Sequence, residues 1–192
     1  MQSFPIRQAR IARALGADAL IVAGLIGLDV GARLLPRAPD FTPVAATALF
    51  AASTLRIRAF AVLGPIAGMM LGDLWLGGYD IRIMIVVYAA IALPACAGAL
   101  SPTLRRPLFI PAVLASSSLI FFLVTNFAVW AFSPLYPANA AGLVKCYIAT
   151  LPFLRNMIAG DLAWGFVLFG GCWLLQGARA ANAGAAALHA QS

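Results

Sequence analysis

The sequence predicts an all-α, polytopic membrane protein with six transmembrane helices and a short extra helix in the outer loop between spans five and six. Three observations carry this expectation. Of 192 residues, 63% are hydrophobic and only 10% charged, the proportions of a lipid-embedded bundle rather than a water-soluble domain. Apolar runs recur along the chain, separated by short stretches where Arg, Asp, Gly and Pro collect. The 17 glycines and 12 prolines suit helices that approach closely and kink where neighbouring helices satisfy the backbone groups that proline frees.

Residues 1–14 form a basic start carrying Arg7, Arg10 and Arg13. The apolar run behind it extends for about 20 residues without a small-residue cleavage site, so it reads as a retained helix and not as a cleaved leader. Span one covers 15–35. Ala19, Ala23, Gly27 and Gly31 recur on it every fourth position, a smooth stripe against which another helix can lie. Asp29 and Arg33, also four apart, are placed to pair on one face. After Pro36, Arg37 and Pro39 comes span two, 43–55, opened by Pro43. It is too short to cross about 30 Å of hydrocarbon, so it is expected to tilt, to extend through Arg56, or to be buried in protein. Span three covers 59–76 with Pro65 inside it, and a Gly77-Gly78-Tyr79-Asp80 loop leads to span four, 81–100, with Pro94 as a second kink.

Span five covers 108–132. The connection 133–160 opens with the turn-prone Ser-Pro-Leu-Tyr-Pro-Ala-Asn; Leu143, Tyr147, Leu151 and Leu154 then recur at helical spacing, which predicts a short helix against the mouth of the bundle. Span six covers 161–178. The residues 15–179 thus make a single transmembrane domain, and the Ala-rich 180–192 reads as a mobile tail.

Six spans put both termini on one side, and Lys and Arg decide which. Arg7, Arg10, Arg13, Arg56, Arg58, Arg105, Arg106 and Arg179 fall on the terminal side; Arg33, Arg37, Arg82, Lys145 and Arg155 fall on the other. This eight-to-five division of the 13 basic residues predicts cytoplasmic termini. It also accounts for the net charge of +7 without nucleic acid, because no basic, aromatic-interleaved face exists to track phosphates.

The residue inventory narrows the chemistry. Every acid is Asp, and the single histidine is His189 in the tail, so neither serine nor thiol hydrolysis has a base. Cys96, Cys146 and Cys172 lack the paired spacing of a zinc site or a disulfide framework. No enzyme, cofactor or metal site is expected. Polar groups in apolar runs point instead to a binding site, since an amide or carboxylate without a partner in hydrocarbon costs several kcal/mol. Asp73, Asn126, Arg155, Asn156 and Asp161 come to a similar depth near the outer helix ends, because a helix rises about 1.5 Å per residue. They are the expected polar contacts of a solute, with Trp75, Tyr79, Trp130 and Tyr147 as walls. The bland reading is a structural network in which Asp73 and Asp161 pair with Arg155, Arg33 or Arg82, and Asp161 caps span six.

Several strings carry a resemblance: FTPVAATALFA (41–51), GDLWLG (72–77), SSLIFFLVTNFAVWAF (117–132), GLVKCYIATLPFLRNMIAGDL (142–162) and LFGG (168–171). Over residues 40–171 the chain resembles a family of small bacterial membrane proteins known only as a domain of unknown function. That family is in turn similar to the substrate-binding S-components of energy-coupling-factor vitamin transporters. The resemblance implies uptake of a small vitamin-like or cofactor-precursor solute from the outer side. It also implies a transmembrane coupling subunit with ATPases as partners, docked through an Ala-x-x-x-Ala pattern that Ala19 and Ala23 match. The alternative is a non-transporting accessory or assembly subunit of a larger membrane complex.

Overall fold

Long apolar runs bounded by Pro, Gly and Arg become helices, because in the absence of water each backbone group must find its partner inside its own segment. The computed structural model describes residues 3–34 and 40–189, without the side chains of 3–14, 58 and 184–189. The turn expected around Pro36, Arg37 and Pro39 lies outside the described residues, as do the side chains of Arg7, Arg10, Arg13 and Arg58. Helices α1 (Ser3–Leu34), α2 (Val44–Thr54), α3 (Arg58–Leu76), α4 (Ile81–Leu100), α5 (Ile110–Phe132), α6 (Ala140–Gly165) and α7 (Gly171–His189) follow in order. A 3-10 turn, Pro102–Arg105, precedes α5, and a π-helical turn, Phe166–Gly170, joins α6 to α7. There is no strand among the described residues.

Five stretches are long and apolar enough to cross a membrane: Leu15–Leu34, Ala59–Leu76, Ile81–Leu100, Ile110–Phe132 and Ala140–Ala183. Helix α2 is the exception. At 11 residues it spans about 16 Å, and it sits at the centre, packed against α1, α3, α4, α5 and α6. Ala46, Thr47, Ala48, Leu49, Ala51 and Ala52 are buried along it. An alanine surface lets five neighbours approach closely, so burial in protein, one of three outcomes expected for so short a segment, is the one realised. Gly98 of α4 is part of the same fit, since a Cβ there would lie 2.9 Å from both Ala52 Cβ and Leu49 Cδ1.

A short helix that ends inside a bundle exposes its terminal amides and carbonyls to low dielectric, and each must be answered. Charged side chains do so here, with signs that oppose the helix dipole. Near the carboxyl end of α2, Arg105 Nη1 donates to the Ala52 carbonyl at 3.2 Å. In the turn that follows, Asp18 of α1 accepts from the backbone N–H of Arg56 at 3.0 Å and of Ile57 at 3.1 Å. At the amino end of α2 the answering group is Asp161, described below.

The connection between the fifth and sixth spans differs from expectation. Residues 133–160 do not form a loop carrying a separate short helix. Asn139 accepts from the Gly142 N–H at 2.8 Å, a side-chain N-cap, and α6 then runs unbroken from Ala140 through Gly165. Gly142 lies so close to the Pro137 carbonyl that a Cβ would collide with it. Pro152 sits on an exposed face inside the helix without ending it. The segment assigned to a tail, 180–189, continues α7 as helix.

Candidate functional site

Asp161 lies in the interior half of α6 and is 3% exposed. Gly160 beside it permits the approach of the α1–α2 connection: a Cβ there would lie 3.1 Å from Phe41 Cα and from the Thr42 nitrogen. Asp161 Oδ2 accepts from Ser118 Oγ of α5 at 2.6 Å, and the backbone N–H groups of Ala45 and Ala46, in the first turn of α2, interact with the carboxylate. Oδ1 has no hydrogen-bond partner of ordinary geometry. Asp161 therefore answers the buried start of α2.

That residue borders a cavity of about 190 Å³. Its polar lining is Arg33, Asp40, Thr42, Ser117, Ser118 and Asp161; its apolar lining includes Met69, Ala90, Ile91, Pro94, Phe121 and Met157. The contributing residues come from the end of α1, the start of α2, the end of α3, the middle of α4 and α5, and the last third of α6. The cavity thus lies toward the end of the bundle that carries the α1–α2 and α3–α4 connections. Asp40 stands at its rim with φ 59°, a left-handed conformation that Asp tolerates better than most side chains.

Arg33 forms one wall, and of the two pairings expected for it, with Asp29 on its own helix or with Asp73, it makes the second. Its Nη2 pairs with Asp73 Oδ1 at 2.8 Å, and its Nη1 contacts the Met69 sulfur. Tyr88 donates to Asp73 Oδ2 at 2.9 Å, so that carboxylate is engaged on both oxygens. Asp29, four residues from Arg33, is 1% exposed and accepts instead from Thr47 Oγ1, which lies 3.0 Å from each of its oxygens. Asp29 also lies near enough to Asp161 for the two carboxylates to act on each other electrostatically.

The expected site residues separate into three sets. Asp161 lines the cavity, and Asp73 stands behind it through Arg33. Tyr79, in the loop after α3, lies near Asp73 and Tyr88, and partial burial with that carboxylate beside it pushes its hydroxyl pKa up to about 12. A second set pins α5 to α6 away from the cavity. Asn126 Nδ2 donates to the Phe122 carbonyl of its own helix at 2.8 Å, Tyr147 donates to the Leu123 carbonyl at 2.8 Å, and Trp130 donates to the Pro137 carbonyl at 3.0 Å. Cys146 is buried against Asn126, with its sulfur 3.5 Å from the Asn126 carbonyl oxygen. A third set faces outward: Trp75 is 79% exposed and Arg155 is exposed, so neither walls the cavity. Asn156 is half-buried one turn before Asp161.

Ala19 and Ala23, with Gly27, lie on the exposed face of α1, and nothing among the described residues would meet a Cβ at Gly27 within 4 Å. The site residues that the sequence did not single out are Ser117, Ser118, Thr42, Met157 and Phe121. A signal existed for the serines: three in succession, Ser116–Ser118, inside an otherwise apolar run. Among the described residues no group of His, Cys, Asp or Glu is arranged to hold a metal ion.

A bundle of apolar helices around a short buried one, with a polar cavity at one end, defines an all-helical protein with an internal pocket, whose long helices are apolar enough to cross a membrane. Within that class the chain belongs to a family of unknown function, DUF6580, whose model matches residues 14–184. No curated protein and no solved structure matches it.

Proposed function

We propose that this protein captures a small solute from the non-cytoplasmic side of a bacterial inner membrane, in the manner of an S-component. The observation that carries the reading is the cavity bordered by Asp161: a few polar side chains, Ser117, Ser118, Thr42 and Arg33 among them, framed by apolar walls. Binding sites for small molecules combine mostly apolar linings with few convergent polar groups, and this lining has that composition. At about 190 Å³ the cavity is below the usual range of about 300–1,000 Å³ for drug-sized ligands, which suits a small vitamin-like or cofactor-precursor molecule.

Orientation supports the same reading. With α2 counted as a sixth span, the cavity lies at the end opposite the Arg-rich connections, and the eight-to-five division of basic residues turns that end outward. Both termini are then cytoplasmic. Release inward requires the bundle to rock, and the exposed Ala19 and Ala23 face offers a coupling subunit and its ATPases a surface to grip.

Native mass spectrometry of the protein purified in mild detergent tests the proposal. A small molecule bound to the wild type and lost in Asp161→Asn is the expected result. A wild type that carries no small molecule, and that no solute stabilises, overturns it.

A second reading rests on the α1 face itself. The exposed Ala19, Ala23 and Gly27 stripe is the kind of surface that packs against a partner helix, as an accessory or assembly subunit of a larger complex would require. A stoichiometric partner that is not an ATPase coupling subunit, captured without any small molecule, favours this second reading.

A further inference from the structure

We infer that a groove between α4, α5 and α6 holds one phospholipid with a zwitterionic, primary-ammonium headgroup, its acyl chain along α5 and its head over the Asp80–Arg82 pair. The site is separate from the cavity at Asp161 and does not depend on solute capture.

Val86 of α4, Tyr147 of α6 and a face of α5 that includes Leu123, Val124, Phe127 and Phe132 line an open groove of about 520 Å³. Tyr147 spends its hydroxyl on the Leu123 carbonyl at 2.8 Å, so the groove offers a ligand hydrocarbon contact. Leu123 and Phe127 remain 45% and 50% exposed in it. From Leu123 to Phe132 the groove follows α5 for about 14 Å, at about 1.5 Å per residue. Hydrocarbon is about 30 Å thick, so this is the depth of one leaflet, the reach of a single acyl chain. A partner helix crossing the membrane would lie along about twice that length.

The end of the groove at the α3–α4 turn selects the head. Arg82 stands one turn before Val86 on α4, and its guanidinium lies over the Phe132 ring, 4.9 Å from the ring centre, with Nη2 donating to the Phe132 carbonyl at 3.2 Å. The groove therefore ends beneath a cation. Asp80 accepts from Arg82 Nε at 3.1 Å and from Nη2 at 2.7 Å, so the pair is neutral in sum while its two charges stay apart. Arg82 Nη1 has no partner among the described residues, and the Arg82 and Asp80 side chains are 57% and 33% exposed. A phosphate can accept from Nη1 while an ammonium beside it donates to the Asp80 carboxylate. Such charge-assisted bonds are roughly twice as strong as neutral ones. A net anionic head would set an unbalanced charge beside Asp80. A quaternary ammonium has no N–H to donate, and a diacylglycerol supplies neither charge.

The test uses the full chain, stripped of lipid in mild detergent, and native mass spectrometry with four lipids of identical acyl chains: phosphatidylethanolamine, phosphatidylcholine, phosphatidylglycerol and diacylglycerol. We expect one phosphatidylethanolamine per chain, retained at least about tenfold more tightly than diacylglycerol and about three- to tenfold more tightly than the other two. Val124→Trp, which fills the groove from a position 38% exposed, should abolish this adduct. Should that variant fail to fold, Leu123→Trp carries the comparison. Asp80→Asn should move the preference toward phosphatidylglycerol, because the cation then lacks its counter-charge, and Arg82→Gln should erase the preference among heads. Equal retention of the four lipids, or retention unchanged in the folded Trp variant, means annular lipid only and overturns the inference. A head preference unmoved by both Asp80→Asn and Arg82→Gln overturns it as well. So does a dimer without lipid that the Trp variant abolishes, which assigns the groove to a second copy of the chain.

Discussion

Thr47→Val isolates the contact that holds a buried carboxylate at the centre of the bundle. Thr47 is 0% exposed and Asp29 1% exposed, and the hydroxyl lies 3.0 Å from both Asp29 oxygens and 3.0 Å from the Val44 carbonyl. It has one hydrogen to give, and the charged acceptor is the stronger claimant. Valine keeps the branched shape and removes the donor, leaving an acid in low dielectric without its hydrogen bond. A bond to a charged group contributes about 1.5–3 kcal/mol. For a chain of this length each kcal/mol moves the unfolding midpoint by about 2–4 °C, so a fall of about 3–12 °C follows. Thermal unfolding in detergent reads it, with Thr47→Ser as the control that keeps the hydroxyl. The same substitution made on Asp29→Asn should cost about half as much, because the acceptor is then neutral. A Thr47→Val midpoint within about 1 °C of wild type, or equal losses in both backgrounds, would refute the assignment of Thr47 as the partner of a buried charge.

Three further outcomes follow from the geometry. Gly160→Ala places a Cβ 3.1 Å from the backbone of Phe41 and Thr42; it should destabilise the protein by about 1–3 kcal/mol and weaken solute binding, read by thermal unfolding and titration of the same sample. Asn126→Ala, on the α5–α6 seam and away from the cavity, should cost about 0.5–1.5 kcal/mol of stability and leave the co-purified solute in place by native mass spectrometry. At the α3–α4 turn, hydrogen bonds from Arg82 hold the Asp80 carboxyl at about 2, below its ordinary 3.8. A depressed acid stabilises the fold above its unfolded pKa and loses that contribution as pH falls through the folded one. Asp80→Asn should therefore flatten the acid limb of the midpoint profile below about pH 4 and leave the neutral region unaffected by titration of this group.

Helix positions were largely legible, because charged and glycine-rich breaks bound the apolar runs. The expected 81–100 coincides with α4, and 59–76 is within one residue of α3. The brevity of 43–55 foretold a helix that cannot face lipid alone. Azimuth was not legible. Depth was misjudged for Asn126 and Asp161, because α6 starts at Ala140: Asn126 lies beside Cys146 and Asp161 beside Ser118, about 22 Å apart along α6, and which side of each helix turns inward is set by packing. Helices that are apolar all round carry no polar face to reveal it. So Asn126 turned toward Cys146, Trp75 toward the outside, and Arg33 reached across to Asp73 instead of pairing with Asp29 along its own helix. The 133–160 segment misled for a different reason: its turn residues end at Asn139, which starts a helix where a longer connection was expected.

The sixth segment has a mechanical consequence. From Asp161 to His189 the backbone runs as one rod through the π-helical turn at Phe166–Gly170, a length of about 42 Å at 1.5 Å per residue. Pivoting that rod by about 5° at the carboxylate sweeps its far tip by about 4 Å on this length. A small tilt at Asp161 is thereby magnified into a displacement at the far end of the helix.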